Sequence, residues 1–315
     1  MTVRKAQAIG SEAQARRGHS EETRTMKKLT ISIVNYNAGD YLISCLTSLE
    51  KIRKDIEFDL FVVDNASTDG SVDRAKNKFP DFNYIINSEN LGYGKAHNLA
   101  LKKAKTPYLL VLNPDTQIPP ETLVKMLEFM EENPKVGIAS PRVEKADGSL
   151  DKASHRGFPT PWASFLYYFL KNDRLYHLTN KDMTKTHEVD SVVGAFMLIR
   201  KSALDKAGYF DEDYFLYGED IDLCFRVKEA GFKVMYVPIV KVLHVKGVSS
   251  GIKKHSHKNS SATLSTKNLA MDHFYKTMKI FYKKHYKKHY PFFFNWLVFA
   301  GIDLKQWLAR RKMSV

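Results

Sequence analysis

Cysteine is scarce in this chain of 315 residues: there are two, Cys45 and Cys224. Both sit in apolar surroundings, which speaks against a disulfide framework and favours core positions in a reducing, cytosolic setting. No run of 18 or more uncharged apolar residues occurs, which excludes a simple membrane-spanning helix. Residues 1–25 also lack the apolar stretch of a secretory signal. This leader is polar and is expected to be disordered, and Met26, followed by Lys27, Lys28 and a first strand, offers an alternative start. No glycine-rich run ends in Gly-Lys-Ser or Gly-Lys-Thr, so a P-loop is absent. Internal repeats are missing, as is low complexity outside a lysine-rich tail.

Hydrophobic residues make up 43% of the chain, enough to bury one large or two fused domains. The net charge of +14 is unevenly distributed. Residues 251–315 carry 14 Lys or Arg against Asp272 and Asp303, and residues 1–25 carry five against three acids. The remaining 225 residues, with 30 basic and 30 acidic, are neutral. Basicity therefore belongs to the tail, and its expected partner is an anionic surface.

From Leu29 onward an apolar run, a loop and an amphipathic stretch alternate. Strands are expected at Leu29 to Asn35, Phe58 to Asp64, Asn83 to Asn87, Tyr108 to Asn113 and Val136 to Ser140. Helices are expected near Tyr41 to Lys51, Ser71 to Phe79, Gly94 to Ala104 and Pro120 to Asn133. This spacing predicts a Rossmann-like, mostly parallel sheet flanked by crossover helices. After Ser140 comes an aromatic stretch with Trp162, Phe165, Tyr167, Tyr168 and Phe169, then a strand at Ala195 to Arg200. A helix from Asp220 to Ala230 stops at Gly231, and two closing strands follow, Val234 to Val237 and Val240 to His244.

The chemistry gathers at strand ends, where open α/β sheets bind ligands. The run Leu109 to Thr116 (LLVLNPDT) stops abruptly at Asn113, Pro114 and Asp115, a turn-forming set that also offers a metal-binding carboxylate. Asp64 ends the second strand, where it can accept hydrogen bonds from a nucleobase or ribose. Asn65 follows it in a polar turn, while Asp69 and Gly70 read as an ordinary turn pair. Asn35, Tyr36 and Asn37 reach the same edge after the first strand. Asn90, Gly92, Gly94 and Asn98 open the next helix, where glycines let backbone amides approach phosphate. The dinucleotide pattern is incomplete there, because His97 takes the third glycine position. Glu219, Asp220 and Asp222 crowd a helix start; beyond capping, a carboxylate there can take a proton from an attacking hydroxyl. His244 ends an apolar run, and with Asp115 it would make a mixed oxygen and nitrogen site for Mg2+ or Mn2+.

Taken in order, VNYN (Val34 to Asn37), VVDNASTDGS (Val62 to Ser71), NLGYGKAHN (Asn90 to Asn98), LNPDT (Leu112 to Thr116), GEDIDLCFR (Gly218 to Arg226) and His244 resemble glycosyltransferase family 2, in its bacterial rhamnosyltransferase-like branch. The resemblance covers roughly residues 28–250. It implies a GT-A fold, a nucleotide-diphosphate sugar donor, a divalent cation and inverting transfer to a saccharide or polyprenyl-linked acceptor in cell-surface polysaccharide synthesis. Carried over residue by residue, Asp64 would contact the base and Asp115 would bind the metal with His244. Asp220 would be the general base, with Glu219 beside it. The family's Asp-x-Asp motif has Asn113 in its first position here, implying a neutral ribose contact. dTDP-rhamnose is the donor first implied, with UDP-linked sugars as alternatives.

On this reading residues 26–140 form the nucleotide-sugar half, 141–250 the acceptor and catalytic half, and 251–315 a basic, aromatic C-terminal helical extension. Aromatics interleaved with lysines over residues 268–299 suit an interfacial helix on anionic lipid at the cytoplasmic face of the cell membrane. A helix packed on the body is the other expectation. No nucleic-acid module accompanies the lysines. Two other functions compete with transfer. A sugar-phosphate nucleotidyltransferase needs a glycine- and arginine-bearing loop after the first strand, and Asn35 to Asp40 (NYNAGD) has one glycine and no arginine. A non-enzymatic polyanion-binding protein would not need acids at the strand ends of a neutral body.

Overall fold

The structure is a computed structural model that describes residues 29–245 and 264–313. The polar leader, Met26 and the expected division near residue 250 lie outside the described residues. The first half runs β1 (Leu29–Asn35), α1 (Asp40–Glu50), β2 (Phe58–Asp64), α2 (Ser71–Lys78), β3 (Asn83–Ile86), α3 (Tyr93–Leu101), β4 (Tyr108–Leu112), β5 (Thr116–Gln117) and α4 (Glu121–Glu132). The second runs β6 (Val136–Glu144), β7 (His155–Arg156), α5 (Pro161–Leu170), β8 (His187–Glu188), β9 (Ser191–Val192), β10 (Phe196–Arg200), α6 (Lys201–Ala207), α7 (Glu219–Glu229) and β11 (Lys233–His244). Two tail helices, α8 (Leu264–Phe281) and α9 (Phe292–Met313), complete the chain.

β1, β2, β3 and β4 pair in parallel, with β1 central and every residue of it buried. Antiparallel β10 then joins β4 to β6, and β11 lies parallel to β6. The short β5 and β8 pair antiparallel with β11. The sheet is thus mixed but mostly parallel, with helices on both faces, as expected. Strand alternation divides the core. Leu110 and Leu112 of β4 meet α1 and α4 in one cluster, while Leu109 and Val111 meet α6 and α7 in the other. Cys45 and Cys224 are free and buried, one on each side.

The two expected closing strands are one, β11, with a register shift against β6 between Val237 and Lys241. Pro238 lies within the shift and cannot donate to the ladder. The shift also swaps faces: Val234 and Tyr236 join the α7-side cluster, whereas Val237, Val240 and Val242 join the α1-side cluster. The strand continues in the new parity to His244, which pairs with Thr116 of β5. That pairing brings the end of the strand beside Asp115.

The tail docks on the body. α8 and α9 form an antiparallel hairpin fastened by Lys279 to Asp303 and by Arg310 to Asp272. A π-helical turn after α8 places His285 Nε2 2.7 Å from the Asp222 carboxylate of α7. Lys284 beside it pairs with Asp211 and Asp213. Asp222 is fully buried, and Arg226 holds its other oxygen at 2.8 Å. Burial opposes the charge, but His285 and Arg226 keep this carboxyl below the ordinary aspartate range. Removing it leaves the Arg226 guanidinium and the His285 imidazole without their shared acceptor in the interior. Asp222→Ala is expected to cost about 3–5 kcal/mol, the usual loss when a buried pair loses one member, read as the shift in a urea unfolding curve.

Candidate active site

A cavity of about 2090 Å³ opens at the carboxyl ends of β1, β2 and β4. On one wall, Asp115 Oδ1 lies 3.1 Å from His244 Nε2, both side chains nearly buried. Asn113 Nδ2 is 3.3 Å from the same imidazole nitrogen. Opposite, Glu219 and Asp220 open α7 after Gly218, where the helix dipole favours acids. Between the two groups stands Tyr93. Its hydroxyl is 3.0 Å from both Asn113 Oδ1 and the Gly194 carbonyl and can donate to either. Burial, joined by the charges of Glu219, Asp220 and Asp115, raises this phenol well above its ordinary range, so it stays protonated and a donor.

The donor set fits a divalent cation. Two ligands about 2.1 Å from an octahedral Mg2+ and at right angles lie about 3.0 Å apart, close to the Asp115–His244 separation. With the ring proton on Nδ1, Nε2 and the Asp115 oxygen are two acceptors 3.1 Å apart, an arrangement that a cation relieves. Among the described residues no third acid, His or Cys joins them, so the remaining positions would fall to diphosphate oxygens and water.

The structure brings Asn65, Asn90, Gly92, Asn113, Asp115, Glu219, Asp220 and His244 to this one cavity. Asn65 donates to Asn90 Oδ1 and to the Gly92 carbonyl, both at 3.1 Å. The other expected positions sit behind the wall. Asp64 is 1% exposed, and its oxygens accept from Asn35 Nδ2 at 2.7 Å and Ser67 N at 3.0 Å. Asn35 also donates to Ser67 and Ser71, and Asn37 accepts from Thr68 N. Together they fix the turn after β2. Asp69 does the same, accepting from Gly39 N and Ser71.

Asn98 does not reach the cavity, because its amide bonds Phe210 in both directions. The glycine pair also serves close packing. Gly92 has φ +83°, and a Cβ there would lie 2.4 Å from the Phe215 carbonyl; one at Gly94 would lie 2.9 Å from Phe210 Cβ. The Tyr93 amide at this helix start donates to Phe215 O, and Gly92 N donates to Asn90. Sequence reasoning missed Tyr93, although its place between two glycines marked it. It also missed Arg156 of β7, which lines the cavity and whose charge is sustained against burial by Tyr176 and Asp220. No local pattern signals that residue.

The pattern of glycosyl transferase family 2 matches residues 30–208. The N-acetylglucosaminyl-diphospho-decaprenol L-rhamnosyltransferase of Mycobacterium tuberculosis is 30% identical over 246 residues, 73% of this chain and 80% of the relative. Rhamnosyltransferase WbbL of Escherichia coli K12 is 27% identical over 221 residues, 68% of this chain and 82% of the relative. Mannosyltransferase PcManGT from Pyrobaculum calidifontis, in complex with GDP-Man and Mn2+, shares the fold with a TM-score of 0.52 at 17% identity, over 97% of this chain and 80% of that one. S. aureus TarS 1-349 in complex with UDP-GlcNAc has a TM-score of 0.52 at 22% identity. That match covers 80% of this chain and 65% of the TarS chain. The architecture is therefore that of the GT-A class of sugar transferases. Within that class, the chain belongs to glycosyl transferase family 2.

Burial, reinforced by the charge of Asp220, pushes Glu219 well above its ordinary value of 4.5. A carboxyl raised in the folded state favours folding fully below the unfolded value, and that contribution is lost as pH rises through the folded value. Glu219→Gln removes the titration. Its urea midpoint is expected to gain on that of the unsubstituted protein steadily as pH rises above about 4.5, and parallel pH profiles for the two would contradict the assignment.

Proposed function

We propose that this chain is a metal-dependent, inverting glycosyltransferase that moves a sugar from a nucleotide-diphosphate donor to an acceptor hydroxyl in cell-surface polysaccharide synthesis. The observation that carries this reading is the meeting of Asp115 and His244 with Glu219 and Asp220 on one cavity, across Tyr93. Asn65 borders the nucleoside, Asp64 fixes the turn behind it through Asn35 and Ser67, and Asn113 meets the ribose. Asp115 and His244 would hold a divalent cation, which supplies positive charge for the leaving diphosphate.

Burial favours the protonated form of Glu219, which leaves the base role to Asp220. Asp220 takes the proton of the acceptor hydroxyl as that oxygen bonds the anomeric carbon from the face opposite the diphosphate. The bond to the diphosphate oxygen breaks, its electron pair stays with the leaving group, and one displacement inverts the centre. The mycobacterial relative is named for rhamnose transfer to a diphospho-decaprenol-linked sugar, which supports L-rhamnose from dTDP-rhamnose and a polyprenyl-linked acceptor here. No helix among the described residues is long and apolar enough to cross a membrane. Phe292 and Trp296, exposed on α9, support a peripheral position at the cytoplasmic face of the cell membrane.

Asp220→Asn is expected to bind donor normally and to lose transfer by about two orders of magnitude or more, as for loss of a general base. Near-normal turnover in a product assay would refute the assignment. EDTA is expected to abolish transfer and Mg2+ or Mn2+ to restore it, whereas full activity in chelator would remove the metal from the mechanism.

A further inference from the structure

The cavity continues from the acid pair as an apolar groove between α5, α8 and α9. Phe165 and Tyr168 of α5, Phe274 and Met278 of α8, and Leu297 and Ile302 of α9 contribute to its walls. Neither a nucleoside diphosphate nor a sugar has the apolar surface to cover them. Arg156 lines the cavity within the field of Asp220. It donates to Tyr176 and to the Ala153 carbonyl, but its buried Nε has no hydrogen-bond partner among the described residues. Where α5 meets α9, Lys305 bonds the Tyr168 carbonyl at 2.7 Å and covers the Phe169 ring.

Gly301 gives the groove a specific mark. It sits in the interior of α9, where glycine weakens a helix relative to alanine. Close packing is the usual reason to keep such a glycine, yet a Cβ at Gly301 would meet nothing within 4 Å. The space it leaves belongs to the groove.

We propose that this groove holds the hydrocarbon chain of a polyisoprenyl diphosphate carrying the acceptor sugar, with Arg156 facing the diphosphate and the sugar hydroxyl presented to Asp220. This rests on the transferase reading and adds where the lipid lies. A long apolar chain matches the aromatic walls, a diphosphate matches the guanidinium, and the groove joins them to the acid pair without a break.

Farnesyl diphosphate is the probe, titrated against tryptophan fluorescence, since Trp162 lines the groove. The full chain is expected to bind it saturably, and to bind farnesol or inorganic pyrophosphate at least tenfold more weakly. Gly301→Leu is expected to weaken farnesyl diphosphate at least tenfold, Gly301→Ala far less, and Arg156→Gln to reduce its affinity toward that for farnesol. Thermal stabilisation by dTDP with Mn2+ should be the same in the unsubstituted chain and both Gly301 variants. Equal affinity in Gly301→Leu, or no farnesyl diphosphate binding by a chain that dTDP stabilises, overturns the groove. Binding of farnesyl diphosphate without any effect of nucleoside diphosphates would uphold the groove and overturn the donor reading.

Discussion

Tyr93 can donate its backbone N–H to the Phe215 carbonyl only because Gly92 has no side chain to strike that same oxygen. Gly94 allows the matching approach to Phe210, and Asn98 bonds Phe210 through both its amide groups. One face of α3 therefore grips the loop that leads into α7. The loop ends at Gly218, which has φ +82° and where a Cβ would fall 2.2 Å from Thr277 of α8. Acid pair and tail are thus seated on the first half of the chain through a series of close backbone approaches, each requiring glycine.

The same contact solves an electrostatic problem. Asp115 and the Glu219–Asp220 pair must share one cavity without repelling each other out of shape, and a neutral, buried phenol stands between them. Burial favours the protonated form of Glu219, which lowers the remaining repulsion. The tail contributes too. Its positive charge is partly used inside the molecule, where Lys284 meets Asp211 and Asp213 and His285 meets Asp222. The anionic surface that the sequence suggested for this charge includes the protein's own acidic loop.

What was legible in the sequence follows from how local each signal is. The buried strands read directly as apolar runs, and Asn113, Asp115, Asp220 and His244 stood out because each ends or begins a regular element. Side-chain direction is not local. Asp64 and Asn98 belong to recognisable motifs, yet their polar groups are occupied by Asn35, Ser67 and Phe210. Arg156 comes from a two-residue strand with no periodicity to reveal it. The tail helices were legible as helices, but their seat depends on Gly218, Asp222 and Leu216, far away in the chain.

The break at Pro238 has a consequence for how this strand can vary among related chains. Because side chains alternate with a period of two, the number of residues between Tyr236 and His244 decides which face the histidine takes. A single insertion or deletion in that interval would leave a strand able to pair with β6 and β5 while turning His244 away from Asp115. Val237, Val240 and Val242 within it are held by the α1-side core. Length as well as identity therefore decides where this segment presents its histidine.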